Sequence, residues 1–224
     1  MFRRRGFHFI TGIMAVAAIA VILAFGKDIR TSITGLKSSL SFPGQSAALV
    51  SNTGTSTAKV EYYFSRAGQE VQPQLVSIIQ SAQKTLDIAI YSLTDSKIGA
   101  AITDAHERGV AVRVITDQQQ AGGQTQKALL KDLVKAGIPV KDNTHSGLMH
   151  LKVTIVDGKV ATTGSFNYTK SAENTNDEVF VVLRDETAAK DFDTEFEKMW
   201  DDNKNFTDYN SSIVNRNAID SIPD

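Results

Sequence analysis

His150 and Lys152, followed by Asp157 and then by Gly164, Ser165 and Asn167, are the residues of this chain whose types and spacing could do chemistry together. Side chains two apart on an extended strand share a face. A strand through this segment would hold an imidazole and an ammonium side by side, with Leu151, Val153 and Ile155 packing the opposite face. Asp157 and Gly158 form a hairpin-turn pair. They send the chain back along Lys159 to Thr163 and deliver Ser165 and Asn167 near the start of the first strand. One ring nitrogen able to attack, one fixed positive charge, a hydroxyl and an amide then converge on a volume suited to a tetrahedral anion.

A phosphodiester repels nucleophiles through its negative charge, so its cleavage calls for donors matched to the phosphate oxygens as charge shifts in the transition state. Lys152 and Asn167 supply such donors. The attacking group must be unprotonated near neutral pH while the leaving alkoxide needs a proton. A histidine serves either role but not both at once, so a partner is required. Metal catalysis fits poorly, because a protonated lysine is a poor ligand and no spaced His, Asp and Glu triad surrounds it. The chain has no cysteine, which removes thiolate zinc sites, thiol nucleophiles and disulfides. No metal or other cofactor is expected.

The sequence here resembles the phospholipase D superfamily, whose HxKxxxxDxxxxxxGSxN signature is matched at every fixed position by His150, Lys152, Asp157, Gly164, Ser165 and Asn167. The resemblance runs across residues 59–204 and is nearest to the small single-motif members, the bacterial Nuc-type endonucleases and the mitochondrial cardiolipin hydrolase type. His8, His106 and His145 are not followed by a lysine two residues on, so this chain holds one copy of the signature. The resemblance therefore implies a homodimer with the active site shared across its two-fold axis. It implies that His150 of one subunit is the nucleophile and that His150 of the other is the general acid. Lys152 and Asn167 would bind the phosphate and Ser165 would donate a supporting hydrogen bond. Glu178 looks like the family acid that orients the histidine through its second ring nitrogen, although Asp177 and Glu173 lie close by. Asp157 matches the signature, but its place at a turn points to a structural hydrogen bond.

The elements that must position these groups read as α/β from residue 59 onward. Strands are expected at Val60 to Ser65, Thr85 to Ser92, Val110 to Thr116, Leu151 to Asp157, Lys159 to Thr163 and Glu178 to Arg184. Several are apolar on both faces, which implies a mixed, mainly parallel sheet sandwiched by helices. Helical spacing relates Leu75, Ile78, Ile79 and Ala82, then Ile98, Ala101, Ile102 and Ala105, then Leu129, Leu130 and Leu133. A last helix carries Phe192, Phe196, Met199 and Trp200 on a core-facing stripe.

The chain of 224 residues, with a formal net charge of -1, is long enough for one domain with appendages and lacks the basic excess of proteins that coat nucleic acids. Arg3, Arg4 and Arg5 precede an uncharged apolar run from Phe9 to Gly26. Residues 1–27 are therefore expected to be a membrane anchor with the catalytic part outside the cytoplasm, with a cleaved signal peptide and a secreted or periplasmic product as the alternative. Residues 28–58, rich in Ser, Thr and Gly, read as a linker, and residues 205–224 as a polar tail that frays or docks locally. Lys127, Lys131 and Lys135 recur on one helix face with Lys141 soon after, a ridge that would track a nucleic acid or simply face solvent. His145 would line the entrance or serve as a loop residue, and Asp117 to Gln124 reads as a polar connector beside the site. A nuclease is favoured over a phospholipid hydrolase, with a non-catalytic phosphate-binding module as the third reading.

Overall fold

The computed structural model describes residues 58–209. The anchor expected over 1–27 lies outside them, as does the linker apart from Ala58. Among the described residues, no helix is long and apolar enough to cross a membrane. The elements run β1 (Lys59–Phe64), α1 (Val71–Gln80), β2 (Thr85–Ile90), α2 (Ser96–Glu107), β3 (Ala111–Thr116), α3 (Gln118–Gly122), α4 (Gln124–Lys135), β4 (Val140–Asn143), β5 (Lys152–Val156), β6 (Val160–Gly164), α5 (Lys170–Asn174), β7 (Val179–Arg184), α6 (Glu186–Asp201) and β8 (Phe206–Asp208). The eight strands form a single sheet in the order β1-β7-β6-β5-β2-β3-β4-β8.

The sheet is mixed, but it is mainly antiparallel rather than mainly parallel. Only β2 with β3 and β3 with β4 run parallel, while the other pairings are antiparallel. Parallel neighbours need a crossover, and here only α2 and the α3–α4 pair link parallel strands that lie side by side. The β5–β6 connection is a tight return.

Helices α1, α2 and α4 cover one face of the sheet around Leu75, Ile79, Leu86, Ile88, Ile102 and Leu130. Burial of each such aliphatic side chain stabilises the fold by about 1.5–3 kcal/mol. The other face carries a smaller core of Ala89, Ile115, Val153, Ile155, Phe196 and Phe206, against which Phe192, Met199 and Trp200 of α6 pack as their spacing predicts. A guanidinium fastens α6 to this face. Arg113 donates to Asp87 across the β2–β3 pair at 2.6 Å and to both carboxylate oxygens of Glu197 on α6, and it lies over the rings of Phe196 and Trp200. Burial pushes the Asp87 carboxyl up, against the pull of Arg113.

Strands β4 and β8 are absent from the sequence-based expectation. Lys141, Asp142 and Asn143 make β4 look like a loop, yet all three are buried. Lys141 Nζ donates to the Trp200 carbonyl at 2.6 Å and to Asn203 Oδ1 at 2.8 Å, so it is a structural cation and not part of a phosphate-tracking ridge. The sheet continues past residue 204, because Phe206 and Tyr209 are buried and β8 pairs with β4.

The turn between β5 and β6 has positive φ at both Asp157 (53°) and Gly158 (61°), as a two-residue hairpin of this hand requires. The Asp157 carboxylate accepts the backbone N–H groups of Gln83, Lys84 and Thr85 and ties the turn to the entry of β2. Partial burial alone would raise its pKa, but the donors from Thr85, Lys84 and Gln83 together hold it below the ordinary 3.8. A carboxyl depressed in the folded state stabilises above its unfolded pKa, and the contribution is lost as pH falls through the folded value. Asp157→Asn is therefore expected to lose about 1–2 kcal/mol at pH 7. In thermal unfolding from pH 7 to pH 2, the gap to the parent protein should close at the acid end; a gap independent of pH would refute the assignment.

Candidate active site

Lys152 opens β5, and His150 sits just before it in an extended segment outside the regular strand. Pairing continues irregularly along this segment, since the Tyr91 N–H donates to the Leu151 carbonyl at 2.8 Å. Lys152 is 6% exposed, and its ammonium folds back to donate to the His150 carbonyl at 2.8 Å. His150 itself is exposed. The ring of Tyr91 joins the two: it lies 4.5 Å from the His150 ring between centroids, and Lys152 Nζ stands 4.8 Å from its centre. A buried ammonium over an aromatic face gains roughly 2 kcal/mol or more from the ring quadrupole. The Tyr91 hydroxyl accepts from Gln120 Nε2 at 3.0 Å, which fixes the ring in its own plane. Burial lowers the Lys152 pKa, and the charge of Glu178 works against that shift.

Antiparallel pairing of β5 with β6, with Thr154 opposite Thr162, brings the end of β6 to the same edge. Gly164 has φ 133° and lies so close to the Val179 carbonyl that a Cβ would overlap it. This approach lets the Ser165 hydroxyl accept the Val179 N–H at 3.1 Å and donate to the Glu178 carboxylate. The other Glu178 oxygen accepts from Asn176 Nδ2 at 3.0 Å. Its carboxylate is thus held by Ser165 and Asn176 and not by the His150 ring of its own chain. Asn167 is half-buried, with its Oδ1 enclosed and without a hydrogen-bond partner. The following Tyr168 is clipped to the β2–α2 loop through Ser92, Thr94 and Asp95. Its hydroxyl meets Thr154 Oγ1 at 2.6 Å in the core, which anchors the Asn167 backbone to β5.

The remaining sequence candidates lie apart from this group. Asp157 stands at the opposite end of β5. Lys127 is half-buried and Lys131 exposed on α4, and neither is hydrogen-bonded or ion-paired to the residues above. His145 packs its ring on Phe206 of β8 in a loop held by Asn143 Nδ2, so it is engaged with its own neighbourhood. The segment expected as a flexible connector is the short helix α3. Asp117 caps it through the N–H groups of Gln119 and Gln120, and its second oxygen accepts the Met149 N–H at 3.0 Å, next to His150. Tyr91 is absent from the sequence expectations for the site, and Asp117 and Gln120 figure there only as parts of a polar connector. The sequence signal for Tyr91 is no more than an aromatic residue at the end of a buried strand.

A family model described as cardiolipin synthase, PLD-like domain, matches residues 75–200. Among curated proteins, the chain is 35% identical over 128 residues to a mitochondrial cardiolipin hydrolase of Chlamydomonas reinhardtii, covering 57% of this chain and 56% of that one. It is 35% identical over 135 residues to the mitochondrial cardiolipin hydrolase of Homo sapiens, covering 60% and 52%. The chain thus spans about half the length of these curated relatives. Among solved structures it is similar to Nuc of Salmonella typhimurium, described as a phospholipase D family member, with 31% identity, a TM-score of 0.63 and coverage of 68% of this chain and 98% of that one. NucT from Helicobacter pylori follows with 27% identity, a TM-score of 0.59 and coverage of 64% and 96%.

Because Glu178 counteracts the burial of Lys152, Glu178→Gln is expected to lower the lysine pKa further. Titration of the Lys152 Nζ resonance by NMR in both proteins reads this directly. A rise, or no change, would show that the two charges do not share a site.

Proposed function

Since the chain belongs to the phospholipase D superfamily, we propose that it is a phosphodiesterase that forms a covalent phosphohistidine on His150. The observation that carries this reading is an exposed imidazole packed at a tilt against the same tyrosine ring that holds a buried ammonium. His150 attacks phosphorus, the P–N bond forms and the P–O bond to the leaving alcohol breaks. The leaving oxygen takes its proton from His150 of a second copy. Water then attacks phosphorus, gives a proton to that second imidazole and releases the first ring. Lys152 and Asn167 neutralise and orient the non-bridging oxygens, and Ser165 together with Glu178 stiffens the floor of the site. Lys152 supplies the fixed positive charge, so the chemistry proceeds without a metal ion.

The substrate we favour is nucleic acid. Support comes from the similarity to Nuc along nearly all of that protein's length and from the glutamine-rich helix α3, whose Gln120 touches Tyr91 and whose Gln119 is exposed. A second reading, hydrolysis of a phospholipid, is favoured by a cavity of about 260 Å³ beside Leu151, lined by Ala89, Val153, Phe192, Phe196 and Met199. Such a cavity has the chemistry to hold an acyl chain. The apolar run at residues 9–26, acting as a tether, would keep the domain near a membrane under either reading.

The test is an assay of the full chain, with chelator present, on a fluorescent oligonucleotide beside cardiolipin vesicles. His150→Ala is expected to lower turnover by about 10³-fold or more, and an acid quench should lose a phosphate label that an alkaline quench retains. Unchanged turnover in the variant, or loss of parent activity to the chelator, would falsify the mechanism. The preferred substrate decides between the two readings.

A further inference from the structure

Gln126 of α4 is 2% exposed, and both polar atoms of its carboxamide are spent inside the fold. Its Oε1 accepts the Leu93 N–H at 2.8 Å. Its Nε2 donates to Thr116 Oγ1 at 2.8 Å, and that hydroxyl donates to the Ile90 carbonyl at 2.8 Å. Ile90 and Thr116 are the last residues of β2 and β3 and stand opposite each other in the parallel ladder, so the ladder stops short of Leu93. Beyond it, the Ser92 carbonyl accepts from Tyr168 and the Thr94 N–H donates to it, a parallel bridge centred on Leu93. That bridge turns the Leu93 N–H away from Tyr168, and Gln126 meets it. A buried N–H needs an acceptor, while Thr116 Oγ1, its proton given to Ile90, can only accept. Position 126 must therefore supply one acceptor and one donor, as a peptide group does.

We propose that Gln126 is a positioning residue for the active site: its carboxamide continues the β2–β3 ladder where β3 has ended and fixes the segment from Tyr91 to Asp95. The proposal rests on the phosphodiesterase reading above and adds a residue that sets the geometry of that site from outside it. On the α4 side, Gln126 brackets Tyr91 and Ser92, bonding through Thr116 to Ile90 just before them and directly to Leu93 just after. On the other side, Tyr168 bonds to Ser92, Thr94 and Asp95 and follows Asn167 in the chain. Tyr91 lies 4.5 Å from the His150 ring and 4.8 Å from Lys152 Nζ. A shift of this one segment thus moves the ring beside His150 and the backbone beside Asn167 together. Glutamine suits the position chemically. Methionine would fill the volume and make neither bond, and an ionised glutamate would set a second acceptor against Thr116 Oγ1.

The test uses the full chain, purified in nonionic detergent with ring-labelled histidine, and compares Gln126→Met with Leu133→Ala. Leu133 is buried on the same helix, so its truncation loosens α4 without removing a bond to the segment. On whichever of the oligonucleotide and the cardiolipin vesicle the parent cleaves, Gln126→Met is expected to lower kcat by about 10- to 100-fold, with KM within about 3-fold of the parent. The His150 ring resonances, identified by their loss in His150→Ala, should move as the Tyr91 ring moves. Leu133→Ala should change neither, although denaturant unfolding finds it destabilised at least as much. A folded Gln126→Met chain with the parent kcat and unmoved His150 resonances overturns the proposal. So does Leu133→Ala reproducing both changes, because lost stability would then explain them. If Gln126→Met does not fold, the near-isosteric Thr116→Val, which strips Nε2 of its partner, carries the test. A kcat lower by about 3-fold or more with shifted His150 resonances supports the proposal, and parent values overturn it. A parent chain that cleaves neither substrate overturns the phosphodiesterase reading instead, and the His150 resonances alone then decide whether Gln126 places that ring.

Discussion

The register of the β5–β6 hairpin is the constraint on which the site depends. Side chains alternate with a period of two, so a slip of one residue would carry every group on a strand to the opposite face. The turn leaves little freedom to slip: Asp157 and Gly158 both adopt positive φ, and the Asp157 carboxylate is bonded to three successive backbone N–H groups at the entry of β2. With that register, Lys152 at the start of one strand and Ser165 just past the end of the next reach the same edge. Gly164 completes the arrangement, because only a residue without Cβ lets β6 approach Val179 so closely.

The partly buried Arg113 and the buried Lys152 are handled by different means. Arg113 meets two carboxylates and two aromatic faces and fastens α6 to the sheet; it is satisfied within the fold. Lys152 has one carbonyl partner and a tyrosine face. An ammonium has three donor hydrogens, so two remain for a ligand. The contrast separates a cation satisfied within the fold from one left open to a ligand more sharply than burial does, since Lys141, also buried, spends its donors on Trp200 and Asn203.

Much of this architecture was legible in the sequence. The six expected strands form within two residues of their limits, because β-branched runs bounded by turns leave few alternatives. Lys152 and Ser165 reach one edge as the hairpin argument requires, Glu178, read from the family resemblance, is hydrogen-bonded to Ser165 there, and Asp157 takes the structural role its turn position suggests. Strand direction was less legible: apolar runs on both faces say that a strand is buried, not which way its neighbours point. Strand β4 was hidden because its buried Lys141 is satisfied by residues about 60 positions away, a tertiary fact with no local pattern. Tyr91 was missed for a related reason. Aromatic residues at strand ends are common, and its contact with His150 and Lys152 arises only when β2 and β5 pair.

Asp117 offers a different lesson. One of its oxygens holds the first turn of α3 and the other holds the backbone beside His150, while Gln120 on the same helix steadies the ring on which His150 rests. Under the proposed mechanism, grip and reactivity are thereby mechanically geared: whatever leans on α3 also nudges His150. Swapping that helix to retune recognition would change turnover along with preference, unless the aspartate and the glutamine were carried over unchanged.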